Sequence, residues 1–503
     1  MFINAGAKLL ARLSLIKFRR WETHARELQE KILFQLIETG SRTAFGKEHS
    51  FNEIKNYETF KEHVPIADYE QIKPWIDRIK AKEKDVTWPG RPVYFAKTSG
   101  TTSGAKYIPI TRDSLPNHIN SARSALLMYI LKTGKTNFIG GKYIFLSGSP
   151  KLTDTSGIPT GRLSGIAHNN IPFYLHKKRF PSYKINCISD WETKLSAIAD
   201  ETLPLDMSLI SGIPPWVEMY FEHLLSHTGK KNILEIFPRF SLLVHGGVSF
   251  NHYSDKLFRL IGREIDTLET FPASEGFFAF QDEFPSKGLM LIPDSGIFFE
   301  FIPADRFYEE DPPRYCLRDV TTDVNYALIL SSNAGLWGYS IGDTVKFTSV
   351  NPYRLEVTGR LNQFTSAFGE HVIGEEVEYA INHAVKHTGA VVREFTLAPL
   401  VDNPDGLPCH QWFVEFKKKP DNLEEFAAKI DEAIQEQNIY YTDLINAKVL
   451  RTAMIIPVPK NTFNNYMKAQ GKLGGQNKIP HLLNDRKIAD WIMSRIQDQM
   501  KNY

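Results

Sequence analysis

The stretch Thr98-Ser99-Gly100-Thr101-Thr102-Ser103-Gly104-Ala105-Lys106 lies between two short apolar runs, Val93-Tyr94-Phe95-Ala96 and Tyr107-Ile108-Pro109-Ile110. Both runs have the length and composition of strands. The connection between them gathers glycines, several hydroxyl side chains and one cation. Glycines let backbone N–H groups turn toward an anion, and hydroxyls add donors that can follow it as it moves. Three residues separate Gly100 from Gly104, so the stretch is not a Walker A loop, whose glycines are spaced differently. A plain surface turn can have the same composition, so the meaning of the loop rests on what accompanies it downstream.

Working outward, helix and strand patterns alternate over the first 260 residues. Leu28, Ile32 and Leu36 recur at helical spacing over 27–39, with Gly40 as the stop. A long helix is expected over 113–133, ended by Gly134, and others over 191–201 and from Pro214-Pro215 to 225. Proline fits a first helical turn, whose N–H groups have no partner within the helix. Strands are expected at 143–146, 208–210 and 242–244, the last running into His245-Gly246-Gly247. This alternation is the rhythm of an α/β domain with a largely parallel sheet.

From about 289 the pattern turns to hairpins. Residues 289–292, the turn Pro293-Asp294-Ser295-Gly296 and residues 297–302 read as one hairpin, and 326–330 and 345–348 as further strands. Beyond Gly359-Arg360 a compact α+β pattern follows: helices marked by Val377, Ile381 and Val385 and over 423–437, and strands at 391–397, 411–416 and 449–456. The expected organisation is a large domain over 1–359, a hinge at 360–364 and a small mobile domain over 365–503.

Composition narrows the function. With 503 residues the chain exceeds a single small core. Sixty basic against 58 acidic residues give +2, so no global field recruits nucleic acid or a membrane. Cys187, Cys316 and Cys409 are odd in number and far apart, which fits a reducing, cytoplasmic compartment and excludes a disulfide framework. The N-terminal stretch is apolar but interrupted by Lys8, Arg12 and Lys17. It is expected to be an amphipathic helix packed on the body, with no stable membrane insertion and with surface contact to a membrane as the alternative.

Three later patches keep company with the loop. In Thr270-Phe271-Pro272-Ala273-Ser274-Glu275-Gly276, an acid beside a hydroxyl and a glycine has the makings of a Mg²⁺ ligand, phosphate oxygens and water completing the shell. In Trp337-Gly338-Tyr339-Ser340-Ile341-Gly342-Asp343, which reads as a Gly-Asp turn between hairpins, Asp343 offers two acceptors in one plane, as a ribose diol needs. The Arg360 guanidinium suits ribose or phosphate. Each patch alone also reads as an ordinary solvated turn.

In this order the patches resemble the acyl-adenylate-forming superfamily of acyl-CoA synthetases, luciferases and peptide-synthetase adenylation domains. Thr43-Ala44-Phe45-Gly46, Val64-Pro65-Ile66 and Gly474-Gly475-Gln476-Asn477-Lys478-Ile479-Pro480 are most similar to the auxin-responsive (Gretchen Hagen) family of acyl-acid amido synthetases. The resemblance implies that ATP activates a small carboxylic acid as acyl-AMP with release of pyrophosphate. The acyl group then passes to an amine, often an amino acid. It implies that Ser99, Gly100, Thr101, Thr102, Ser103, Gly104 and Lys106 hold the outer phosphates. Gly246 and Gly247 allow close backbone approach, Phe271 flanks the adenine with Ser274 beside it, Glu275 binds Mg²⁺, and Asp343 and Arg360 take the ribose. A small-domain lysine, Lys478 first, then Lys472 and Lys468, offsets charge at the α-phosphate. The pivot falls near Asn362, where the superfamily more often has an acid or a lysine. Two other readings stay open: an acyl-CoA ligase with the same first step, and a nucleotide-binding scaffold without catalysis. Neither the acid, the acceptor nor the oligomeric state is legible.

Overall fold

The computed structural model describes the chain apart from residues 1, 99–104, 172–174, 248–249, 251–252, 362–363, 366–367, 369, 371, 402, 404–405, 471–478, 484 and 502–503. It divides into two compact units, the first ending at Leu361 and the second taking up from Asn362. No helix among the described residues is long and apolar enough to cross a membrane.

The first unit is built on an eleven-stranded mixed sheet. Its order is Ile297–Pro303, Asn325–Ser332, Leu336–Val350, Tyr353–Arg360, Leu289–Leu291, Gly276–Gln281, Asp266–Ala273, Leu242–Gly246, Met207–Ser211, Lys142–Phe145 and Arg179–Phe180. From Asp266–Ala273 to the Arg179 edge the neighbours are parallel; the rest are antiparallel. The helices close where the sequence signals: Gly134 and Gly229 cap Leu115–Thr133 and Pro214–Thr228 with φ of 69° and 67°. A separate four-stranded sheet holds Tyr94–Thr98 and Lys106–Ile110, paired antiparallel with Thr98 opposite Lys106.

Three expectations are corrected. Residues 289–292 and 297–302 do not form a hairpin. Leu289–Leu291 has Gly276–Gln281 on one side and Tyr353–Arg360 on the other, and Ile297–Pro303 pairs instead with Asn325–Ser332. Pro293-Asp294-Ser295-Gly296 does turn the chain, but both edges of the first strand are already taken. The buried Gln29 side chain holds the connection: its Nε2 donates to Pro293 O and Ile297 O, and its Oε1 accepts from Phe299 N. Further along the same margin, Phe301 and Tyr315 exchange backbone hydrogen bonds of 2.8 and 2.9 Å. Gly40 closes its helix as expected, without a left-handed turn. It is the last residue of Ala25–Gly40, and a Cβ there would stand 2.6 Å from the Trp337 ring. Residues 337–343 are not a turn but part of the long strand Leu336–Val350, kinked where Gly338 and Gly342 take φ of 55° and 82°.

The second unit pairs Val391–Leu400 with Cys409–Lys418 antiparallel and Met454–Pro457 parallel to the latter, with helices Gly374–Thr388 and Leu423–Gln437 packed together. The third correction lies here: the last strand begins at Met454, not 449. Ala453 N donates to both carboxylate oxygens of Asp431, which takes this backbone out of the ladder.

Candidate active site

One apolar core supports the patches of the first unit. Phe95, Ala96, Ile108 and Ile110 from the loop strands pack in it with Phe271, Phe278 and Ala279, and with Tyr339, Ile341 and Val345 from the Asp343 strand. Residues far apart in sequence are therefore mounted on a shared rigid base.

Ser99, Gly100, Thr101, Thr102, Ser103 and Gly104 lie outside the described residues. The stem that presents them is fixed. Tyr69 Oη accepts from Tyr107 N at 2.7 Å, and the Lys106 ammonium stands 5.8 Å from the centre of the Tyr69 ring. Lys106 is thus held at the mouth of the loop, opposite Thr98.

Gly246 and Gly247 end a parallel strand, and the carboxyl ends of parallel strands are where open α/β sheets bind ligands. Gly246 faces Thr270, whose carbonyl oxygen would be 2.2 Å from a Cβ at Gly246. The close approach that Gly246 permits is therefore to the next strand. Gly247, with φ of 83°, makes the left-handed exit. The His245 ring between them and the core is buried, stacked on Phe250 at 4.1 Å, and burial pushes it down to about 3. It is neutral at physiological pH.

Phe271 sits inside the strand Asp266–Ala273, only 8% exposed and edge-on to Phe278 at 5.0 Å. Ser274 and Glu275 form the two-residue turn into Gly276–Gln281, with Ala273 opposite Gly276. Both are partly exposed, so the Glu275 carboxylate is carried on a rigid hairpin tip. Among the described residues no three His, Cys, Asp or Glu side chains cluster as a metal cage. A Mg²⁺ carried on nucleotide phosphates needs only one or two protein carboxylates, and Glu275 fits that requirement.

Asp343 is nearly buried and stands opposite Arg360 in the strand register. Gly342 O accepts from Leu361 N at 2.8 Å, so this pairing continues to the last residue of the first unit. The Arg360 side chain, Lys472 and Lys478 lie outside the described residues, while Lys468 is exposed in the last turn of helix Thr462–Ala469. The structure thus joins Thr98 with Lys106, Gly246 with the Phe271 strand, and Asp343 with Arg360.

Sequence reading missed Lys194. It is 4% exposed, at the same carboxyl ends of the parallel strands, and its Nζ donates to Ser147 O at 3.0 Å. Burial first, and then the Arg162 charge, push it down to about 8. A lysine one turn into a helix carries no signal of burial, so the sequence could not have flagged it.

Three sequence models of one family match this chain. The GH3 family N-terminal domain covers residues 14–184, the central domain 289–360 and the C-terminal domain 375–487. The chain belongs to the GH3 family. The matched GH3 segments include Lys106, Asp343, Arg360, Lys472 and Lys478, whereas Gly246, Phe271 and Glu275 fall between them. Indole-3-acetic acid-amido synthetase GH3.6 of Arabidopsis thaliana is 21% identical over 95% of this chain and 92% of its own length. In structure, AtGH3.15 acyl acid amido synthetase in complex with 2,4-DB superposes with a TM-score of 0.61 at 16% identity, covering 96% of each chain. A 2-hydroxyisobutyryl-CoA ligase in complex with 2-HIB-AMP and CoA gives 0.60 at 13% identity, over 95% of this chain and 94% of that one. The fold is that of adenylate-forming enzymes.

Proposed function

We propose that this chain is an ATP-dependent acyl-acid amido synthetase that joins a small carboxylic acid to an amine, in particular an amino acid. The observation that carries the reading is the GH3 match across three separate segments, together with a relative named as an amido synthetase aligned over 95% of the chain.

The chemistry has two displacements. A carboxylate oxygen attacks the α-phosphorus of ATP, pyrophosphate leaves, and a mixed anhydride forms. An amine then attacks the acyl carbon, AMP leaves, and the amine proton passes to solvent. In this reading Lys106 and the hydroxyls and N–H groups of 99–104 hold the outer phosphates, and Asp343 and Arg360 fix the ribose. Mg²⁺, when bound, neutralises phosphate charge, with Glu275 as its protein carboxylate. Lys478, with Lys472 as the alternative, offsets the charge that grows at the α-phosphate. The boundaries go with this assignment: adenylation by 1–359, a hinge at 360–364 and a mobile domain over 365–503, in a cytoplasmic enzyme.

The test is pyrophosphate release with Mg-ATP across a panel of small carboxylic acids, with and without amino acids. Acid-dependent release is expected, with an amide detected by mass, and Glu275→Ala and Lys478→Ala each losing about a hundredfold or more in kcat/KM. ATP binding with no release for any acid would overturn the reading. A second reading, thioester formation, draws on the equal fold likeness to the CoA ligase. It predicts AMP formation that depends on CoA and not on amino acids.

A further inference from the structure

The N-terminal helices Phe2–Leu13 and Leu15–Thr23 have two apolar faces. One faces the body: Ala7, Ala11, Phe18 and Trp21 pack with Met128, Tyr129 and Phe138. The other faces water. Leu9, Leu10, Leu13 and Ile16 are 58%, 59%, 66% and 75% exposed, and Leu9, Leu13 and Ile16 recur at helical spacing. The expectation of a helix that packs on the body therefore accounts for only one of its faces. Isolated exposed apolar side chains are ordinary, but a stripe that runs along two consecutive helices marks a surface that something else covers.

Charge says what covers it. Lys8, Arg12, Lys17, Arg19 and Arg20 are all exposed on these helices, and the first acidic residue of the chain is Glu22. Leucine and isoleucine along one line, with five cations against the single acid Glu22 on the two helices and Asp294 beside Lys17, match the boundary of a bilayer, where acyl chains lie beneath anionic headgroups. A second copy of the chain would bring this cationic border against another of the same sign, which disfavours self-association through the face.

We propose that this helix face is a peripheral attachment site for anionic membrane surfaces, with Leu9, Leu13 and Ile16 entering the headgroup boundary and Arg12 and Arg19 contacting lipid phosphates. The inference does not depend on the catalytic reading, and its test uses no activity. Full-length protein is floated with vesicles of phosphatidylcholine alone and with vesicles containing about one-third phosphatidylglycerol, at low and high salt. Recovery with the anionic vesicles only, released by salt, is expected. The triple variant Leu9→Ser/Leu13→Ser/Ile16→Ser should reduce partitioning by about tenfold or more. Arg12→Glu/Arg19→Glu should abolish the preference for anionic lipid. Both variants alter side chains that stand in water, so an unchanged melting temperature verifies that they fold. Absence of recovery, equal recovery with neutral vesicles, or undiminished binding by the triple variant would each overturn the proposal. So would a dimer in light scattering that the triple variant dissolves while vesicles bind neither protein, since the face would then belong to a second copy.

Discussion

The two units hold their buried carboxylates with different partners. In the first, the partner is arginine. Glu300, fully buried, receives Arg314 Nε and Nη2 at 2.9 Å each and Tyr57 Oη at 3.0 Å. Asp282, also fully buried, receives Arg354 Nε and Nη2 at 2.8 and 2.7 Å. In the second, histidine and tyrosine enter as partners, beside Arg393, which stands 3.5 Å from the buried Glu415. Glu370 meets His410 at 2.8 Å with both side chains inaccessible and Asp431 takes the Tyr441 hydroxyl, while nearer the surface His481 lies between the partly exposed Glu378 and the half-buried Glu394. Guanidinium keeps its charge throughout the physiological range, while imidazole and an isolated buried carboxyl do not. The unit that carries the Glu275 and Asp343 sites is thus tied by bonds indifferent to pH. The unit that carries the lysine-bearing segment adds bonds that titrate, at Asp431 and His481.

The comparison breaks most readily at Arg314. Arg314→Leu leaves Glu300 buried without its cation and should cost about 3–5 kcal/mol in urea unfolding, with lysine at the same position a poor rescue. Equal stability of the variant would show that arginine is not the tie in the first unit.

A smaller effect is expected at Asp431, whose carboxyl is pushed up to about 6, by burial above all, against the opposing hydrogen bonds from Tyr441 and Ala453. Between its unfolded value near 3.8 and about 6 the native state keeps a proton that the unfolded chain has released. Its contribution therefore falls as pH rises through that window, by about 2–3 kcal/mol, and is level above it. Asp431→Asn should flatten this slope in denaturation measured from about pH 4 to pH 7; identical slopes would remove Asp431 from the comparison.

The smallest effect concerns His481. Burial pulls its basicity down, but the hydrogen bonds its ring donates to Glu394 and Glu378 outweigh that and raise it. Its contribution is complete below its unfolded value of about 6.5 and is lost as pH rises through the higher folded one. The His481 carbonyl accepts from Leu397 N, and Leu483 N bonds back to Leu397 O. Exchange at the Leu397 and Leu483 amides, corrected for intrinsic rates, should quicken about two- to fivefold on going above neutral pH, and His481→Gln should not show this step. Exchange that is flat with pH in the parent protein would refute it.

Much of this architecture was legible because local and global signals agreed. Gly134, Gly229 and Pro214-Pro215 mark helix ends by backbone chemistry alone, and the structure places them there. Legibility failed where a long-range partner decided the outcome. Nothing local in 289–302 shows that Tyr353–Arg360 inserts beside Leu289–Leu291. Nothing near Ala453 shows that Asp431 takes its N–H. The glycines of 338–342 read as a turn because glycine permits both turns and kinked strands, and only the pairing with Asn325–Ser332 and Tyr353–Arg360 separates the two. For the site, Asp343 and Glu275 stood out by residue type in a suggestive order, while Lys194 did not, since burial of a lysine is a property of the surrounding fold.

The Gln29 clamp bears on how the protein behaves at high concentration. The strand Ile297–Pro303 is the outer margin of an eleven-stranded sheet, and an open margin is a template for strand addition by other molecules. Gln29 occupies Ile297 O and Phe299 N, Tyr315 occupies both groups of Phe301, and the opposite margin is a strand of only two residues, Arg179–Phe180. Neither border leaves a continuous row of backbone groups for a neighbour to read. A large and strongly apolar sheet is thereby kept from nucleating aggregates, and one glutamine amide performs a share of that protection.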